Sequence, residues 1–259
     1  MKLLTTAAFG FASIAGAANA APVDLSSWVA EQGPGSQAAA NWSLAADNNS
    51  VTQTVNSQVS AFFDGAASSQ GKALSGSIRV NTTGDDDFIG FVLGMDAGEI
   101  NGTASSVDYW LVDWKQRTQN HAGASAPAGL ALSHFTGSTT DEGDFWGHEG
   151  VGDEKVRATN LGATGWSDLT EYTFELVFTE DLIEVSVDGV KEISYTSAQN
   201  GGKFLDGGFG FYNYSQGNVT YAGITEEILP PPPAPVPLPA GAVLLVSGLG
   251  IMRLCKRKS

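Results

Sequence analysis

Between Pro22 and Ile228 the chain repeats short apolar–polar alternations of period two, the pattern of half-buried β-strands. In Leu182–Val187, Ile183, Val185 and Val187 point one way and Glu184 and Ser186 the other. Asp188-Gly189 follows, a strong two-residue hairpin turn, and Val190–Tyr195 reads as the returning strand. Tyr172, Phe174, Leu176 and Phe178 alternate just upstream. Phe209, Phe211 and Tyr221 do so near the end, with Gly217-Asn218 as a turn. Earlier, Ser77–Asn81, Phe88–Met95 and Tyr109–Lys115 read as strands, and Val51–Phe63 as one or two more. No stretch of this body sustains a helical period. Frequent strands broken by Gly, Asn, Asp and Ser predict an all-β antiparallel sandwich or jelly roll. The segment from Gln119 to Gly152, with three histidines, Pro127 and many acids, reads as a loop-rich insertion.

The two ends depart from this pattern. Residues 1–20 carry Lys2, an apolar and small-residue core, and Ala18-Asn19-Ala20, the make-up of a secretory signal peptide that leaves a mature chain starting near Ala21. Residues 22–228 form the body. Residues 229–239 are a proline-rich spacer, extended and semi-rigid. Residues 240–259 hold most of an apolar run that begins at Leu238 and ends in Arg253, Lys256, Arg257 and Lys258. That run is about 15 residues, roughly 22 Å as a helix, a marginal span for a ~30 Å bilayer core. The basic end would stay cytoplasmic and leave the body outside.

Composition sharpens this picture. Gly supplies 32 of 259 residues, in keeping with a turn-rich β protein. Lys and Arg number 13 against 28 Asp and Glu, a net charge of −15. Five of the cations (Lys2 and the four of the tail) lie in the end segments, which hold no acid, so a body without them carries −20. Such a body repels nucleic acid and anionic lipid, where binding rests on neutralising phosphates, and suits divalent cations. The single cysteine, Cys255, excludes a disulfide framework and a cysteine-based zinc site.

Two resemblances follow from particular residues. Val236-Pro237-Leu238-Pro239-Ala240, with the apolar run and basic tail behind it, resembles the VPLPA-type C-terminal sorting signals, a variant of the PEP-CTERM family. The resemblance implies transient membrane association through the tail and recognition by an exosortase-like membrane protease. It also implies delivery to the surface or exopolysaccharide matrix of a Gram-negative bacterium. In the body, Gly76–Gly94 (GSIRVNTTGDDDFIGFVLG), Tyr109–Gln119 (YWLVDWKQRTQ), Gly165-Trp166 and Gly208–Gln216 (GFGFYNYSQ) occur in the order found in the C-terminal domain of thrombospondins. Over roughly residues 40–227 this resemblance implies an L-type lectin-like jelly roll, calcium binding and an adhesion or matrix role. The chain lacks the calcium-loaded repeats and the cysteines that accompany that domain in thrombospondins, so the fold carries over further than any partner.

Asp85, Asp86 and Asp87 are the main candidate for chemistry. Adjacent carboxylates repel one another unless a cation or water screens them, and Ca²⁺ takes six to eight oxygens from carboxylates, carbonyls and water. If the segment stays extended, Asp85 and Asp87 share a face and Asp86 points away, so at most two reach one ion. The resemblance supports calcium here, with Asn81 and Asp113 as further donors. Asp141, Glu142, Asp144, His148, Glu149, Asp153 and Glu154 form a second acidic group that reads as a solvated loop. Trp146, in the polar stretch Asp144–His148, is the candidate platform for a sugar ring, while Trp110 and Trp114 share strand parity and read as core. The E-x-D-x-x-E pattern of laminarinase-type jelly-roll hydrolases is absent, as are H-E-x-x-H, G-x-S-x-G and a P-loop. The expectation is therefore not an enzyme but a calcium-dependent module binding extracellular polysaccharide or surface glycan. A structural matrix protein without a specific ligand and a polysaccharide hydrolase are the alternatives.

Overall fold

The computed structural model describes residues 20–66, 68–121, 123–137 and 141–231. The leader before Ala20, the sorting motif Val236–Ala240, the apolar run, the basic tail and Cys255 lie outside the described residues. Among the described residues no helix is long and apolar enough to cross a membrane.

In chain order the body opens with β1 (Ala21–Pro22), β2 (Val29–Gln32), β3 (Trp42–Leu44), β4 (Val51–Gln53) and β5 (Ser60–Phe63). The longer β6 (Lys72–Val80), β7 (Phe88–Met95) and β8 (Val107–Lys115) come next. A hairpin of β9 (Gln119–His121) and β10 (Ala124–Ala126) precedes β11 (Gly129–Gly137), helix α1 (Glu142–Gly147) and β12 (Gly152–Arg157). The last third holds β13 (Glu171–Phe178), β14 (Leu182–Val187), β15 (Val190–Thr196), the one-turn α2 (Ser197–Asn200), β16 (Gly208–Tyr214) and β17 (Val219–Ile228). One sheet runs β15-β14-β13-β6-β17-β4-β3, with β1 added on β17. The other runs β12-β11-β8-β7-β16-β5-β2. Every ladder between named strands is antiparallel, so the chain is the expected all-β sandwich.

Alternation decides which side chains meet. Phe174, Leu176 and Phe178 of β13 and Ile183 and Val185 of β14 face Ile89, Phe91 and Leu93 of β7 and Trp110, Val112 and Trp114 of β8 across the interior. Asp188 and Gly189 turn the β14–β15 hairpin with φ of 50° and 74°, a left-handed pair that Gly accepts without strain. A second apolar cluster covers the opposite face of the seven-stranded sheet. There Phe88, Val92, Tyr109, Leu111, Phe135, Tyr212 and Tyr214 meet Phe145 and Trp146 of α1 and Ala124 and Ala126 of β10.

That cover corrects the reading of Gln119–Gly152 as a loop-rich insertion. β11 spans nine residues and pairs along its length with β8, and α1 with the β9–β10 hairpin seals the outer face. The expected strand at Val51–Phe63 resolves into β4 and β5, which belong to different sheets.

Candidate metal centre

The chain leaves β6 at Val80 and enters β7 at Phe88, and the acids lie on the bend between. Gly84 has φ of +92°, so the segment turns instead of running straight. One oxygen from each of Asp85, Asp86 and Asp87 then lies within 4.8 Å of the others. The limit of two carboxylates holds for an extended segment; here all three offer an oxygen to one group.

Each acid is anchored by a different part of the fold. Asp85 Oδ2 accepts a hydrogen bond from Asn56 Nδ2 at 2.8 Å. Burial and the neighbouring Asp87 charge push its pKa up to about 6. Asp86 Oδ1 accepts from the Gln119 side-chain amide, and its Oδ2 lies 3.9 Å from Arg117 Nε. Asp87 is buried. Its Oδ1 pairs with Lys115 Nζ at 2.7 Å, its N–H donates to Gln216 Oε1 at 3.2 Å, and its carbonyl accepts from Trp166 Nε1 at 3.0 Å. Lys115 Nζ also donates to the Asp86 carbonyl and to Gln119 Oε1, and sits over the rings of Phe88 and Trp146. Each carboxylate keeps one oxygen free of the side-chain hydrogen bonds just named. Three carboxylates and one ammonium leave the cluster at about −2, and the donors are all hard oxygens, so the residues fit one Ca²⁺.

The remaining candidates separate. Asn81 stands at the end of β6, where its side-chain amide donates to the Asn218 carbonyl and to Thr220 Oγ1, tying β6 to β17. Asp113 does not join the acidic group. It is buried on the outer face of β8 opposite Gly90, and its Oδ2 lies 3.1 Å from His148 Nε2. That approach is an ion pair without good hydrogen-bond angles, since neither atom has a well-oriented partner. Burial opposes the charged imidazole, but Asp113 outweighs it, with Glu154 adding and Arg157 subtracting, so the His148 pKa is raised above its usual value.

Trp146 is also corrected. Instead of standing half-exposed in a polar loop it is 4% exposed, on α1, with its ring against Phe88, Tyr214 and His121. The acids around it cap and anchor that helix. Asp141 is the N-cap, reciprocated by Asp144, and Glu142 accepts from Tyr214 and contacts His121. Asp153 and Glu154 pair with Lys155 and Arg157. This second acidic group is therefore divided among structural contacts, apart from the exposed Glu149. Trp110, Trp114 and Trp166 are buried too, Trp110 lying flat on His134 with ring centroids 4.1 Å apart.

Lys115, Gln119, Asn56 and Gln216 complete the surroundings of the acids, and sequence reasoning did not assign them. Only Lys115 left a local trace, as a lysine in step with Asp113 and Leu111 at the end of a strand otherwise destined for burial. Asn56 and Gln216 come from distant parts of the chain, and no spacing points to them.

The family model for the thrombospondin C-terminal region matches residues 37–228, which take in the acidic bend, β8, Trp166 and β16. The chain belongs to that family. As a thrombospondin C-terminal domain it is 31% identical to thrombospondin-2 of Mus musculus over 151 residues, 53% of this chain and 12% of the relative. Against thrombospondin-2 of Gallus gallus it is 28% identical over 204 residues, covering 72% and 16%. Thrombospondin-3 of Homo sapiens gives 26% over 200 residues, covering 71% and 20%. The chain thus spans a fifth or less of the length of these relatives. Among solved structures, the carbohydrate-binding module CBM66 from Bacillus subtilis superposes with a TM-score of 0.50 at 11% identity, over 78% of this chain and 95% of that one. That likeness is one of fold, a lectin-like sandwich.

Proposed function

We propose that this thrombospondin C-terminal domain is an exported, calcium-binding adhesion or matrix module, not an enzyme. Its ligand is an extracellular polysaccharide or surface glycan. The observation that carries the calcium reading is the convergence of Asp85, Asp86 and Asp87, with Asp85 held near pKa 6 by burial and like charge. A divalent ion relieves that repulsion, closes the bend and fixes the adjoining loops as part of a binding surface. Export follows from the signal-peptide pattern of residues 1–20. Surface delivery follows from cleavage near Val236–Ala240 by an exosortase-like protease, which would leave the domain at the cell surface or in exopolysaccharide.

Thermal unfolding with Ca²⁺ and with chelator tests the metal. An ion at 100 times its dissociation constant stabilises by about 2.7 kcal/mol, which raises the midpoint by about 5–10 °C in a domain of this size. Asp85→Asn and Asp86→Asn are expected to remove most of the rise, and an equal rise in both variants would sink the assignment. Saturable, chelator-sensitive binding to the producer's own exopolysaccharide is the expected ligand result; indifference to every glycan tried would favour a purely structural matrix role.

The calcium response carries its own pH signature. Because the folded Asp85 pKa lies above 3.8, the calcium-free fold holds a proton there that the unfolded chain has released. Ionising Asp85 therefore costs the calcium-free fold stability as pH rises from about 3.8 to 6. Calcium must displace that proton, so the calcium-induced shift is expected to be full above pH 6 and to shrink below it. A shift constant from pH 7.5 to pH 5 would exclude Asp85 as a ligand.

Processing has a direct readout. Mass spectrometry of the exported protein is expected to show a start near Ala21 and loss of the basic tail. An intact end at Ser259 would refute the sorting reading and leave the calcium reading untouched.

A further inference from the structure

Lys115 is about 1% exposed, and its ammonium is fully committed. It meets Asp87 Oδ1 at 2.7 Å, the Asp86 carbonyl at 3.2 Å and Gln119 Oε1, and lies 4.9 Å and 4.6 Å from the ring centres of Phe88 and Trp146. Stability alone does not account for such a group. Withdrawing a lysine and a carboxylate from water costs about what their attraction returns, and an apolar pair of the same shape often serves as well. What the lysine changes is charge. Without it the acidic bend carries three carboxylates; with it, the net charge is that of two. Among the described residues the other cation paired with these acids, Arg117, is 3.9 Å from Asp86, and its side chain is 72% exposed, so water screens it. Lys115 is therefore the fixed, unscreened counter-charge of the site.

We propose that Lys115 sets the charge of the ion this bend accepts, tuning it to a divalent cation and against a trivalent one. The proposal rests on the calcium reading of the same residues. Repulsion between the ammonium and a bound ion grows in proportion to the ion's charge. It lowers affinity for a divalent ion and lowers affinity for a trivalent ion more. Lys115 also holds one oxygen of Asp87, which leaves that residue a single oxygen to offer. Gln119 bridges the arrangement, since its side chain contacts both Lys115 and Asp86 while its backbone carbonyl accepts from Trp146 Nε1 at 3.4 Å.

The test compares Tb³⁺ and Ca²⁺ on the exported protein. Tb³⁺ luminescence is sensitised by nearby tryptophan, here Trp166 and Trp146, and Ca²⁺ competes it away. Lys115→Met is expected to raise affinity for both ions and to shift the Tb³⁺-over-Ca²⁺ preference toward Tb³⁺ by about tenfold or more. Its calcium-free form is expected to melt earlier, and the gap between calcium-free and calcium-loaded midpoints to widen. Lys115→Gln keeps hydrogen-bond donors while removing the charge and should shift the preference in the same direction. Asp87→Asn combined with Lys115→Met restores the net charge of two and should return the preference toward that of the unmodified protein. An unchanged preference in both single variants overturns the proposal. If neither folds, the double variant decides: a preference far from the unmodified protein's overturns it, and a matching one supports it. An unmodified protein showing neither Tb³⁺ luminescence nor a Ca²⁺-dependent midpoint would instead sink the calcium reading itself.

Discussion

His148→Ala lowers the unfolding free energy by about 3–5 kcal/mol at pH 6, the cost of stranding one partner of a buried ion pair. The residue left behind is Asp113, buried opposite Gly90 with its Oδ2 toward the imidazole. The two strands lie close there, since a Cβ at Gly90 would stand 2.0 Å from the Val112 carbonyl. The effect depends on pH with a definite sign. The folded His148 pKa lies above 6.5, so the charged pair contributes its full stability below that value and loses it as pH rises through the folded pKa. Urea unfolding at pH 6 and pH 8.5 should therefore show a large penalty at the lower pH and a smaller one at the higher. Asp113→Asn in the same chain should recover much of the loss, since no unpaired charge then remains. A penalty independent of pH would mean that His148 acts by packing against Phe135 and Phe88 and not by charge.

The same pair shows where the chain is legible from its sequence and where it is not. Strands with clean alternation were readable at once. β13 and β14, with the Asp188-Gly189 turn that leads into β15, follow directly from Tyr172 to Gly189, because one face of each strand is apolar and the other polar. β11 was not readable, since Ser133, His134 and Thr136 give a buried strand a polar appearance. His134 is accommodated by stacking flat on Trp110 and contacting Asp108, contacts made across the β8 ladder and invisible in local spacing. Trp146 misled for a related reason: Asp141 and Asp144 looked like a solvated loop but are the capping box of α1.

The acidic bend was half legible. Three successive aspartates announce a cation or a solvated turn, yet alternation argues that only two converge, whereas in the fold one oxygen of each lies within 4.8 Å of the others. The Lys115–Asp87 contact needs the register of the β7–β8 hairpin, in which Phe88 pairs with Lys115, before 28 residues of separation become 2.7 Å. Asp113 shows the converse error. Two residues before Lys115 on the same strand face, it looks equally suited to serve a cation, but its carboxylate lies against His148 instead.

Trp166→Ala should match His148→Ala in size and reach the acidic bend from the other side. Trp166 is 2% exposed within the inter-sheet core, and removing a ring of that volume costs about 3–5 kcal/mol through lost contacts and the cavity left behind. Its position is fixed by the preceding Gly165, where a Cβ would stand 1.9 Å from the Gln116 carbonyl; only glycine lets the chain approach β8 so closely. From there the indole N–H reaches the Asp87 carbonyl, so the core holds one end of the acidic bend directly. Trp166→Phe separates the two roles. It keeps most of the apolar volume but leaves the Asp87 carbonyl without its donor, at a cost of about 1–3 kcal/mol. If the bend is preorganised by that hydrogen bond, Trp166→Phe should weaken the calcium-induced rise in midpoint even where the calcium-free fold stays intact. Urea midpoints with and without Ca²⁺ measure both effects at once. A calcium response in Trp166→Phe equal to that of the unmodified protein would show that Lys115 and Gln216 hold Asp87 without help from the core, and that the indole serves packing alone.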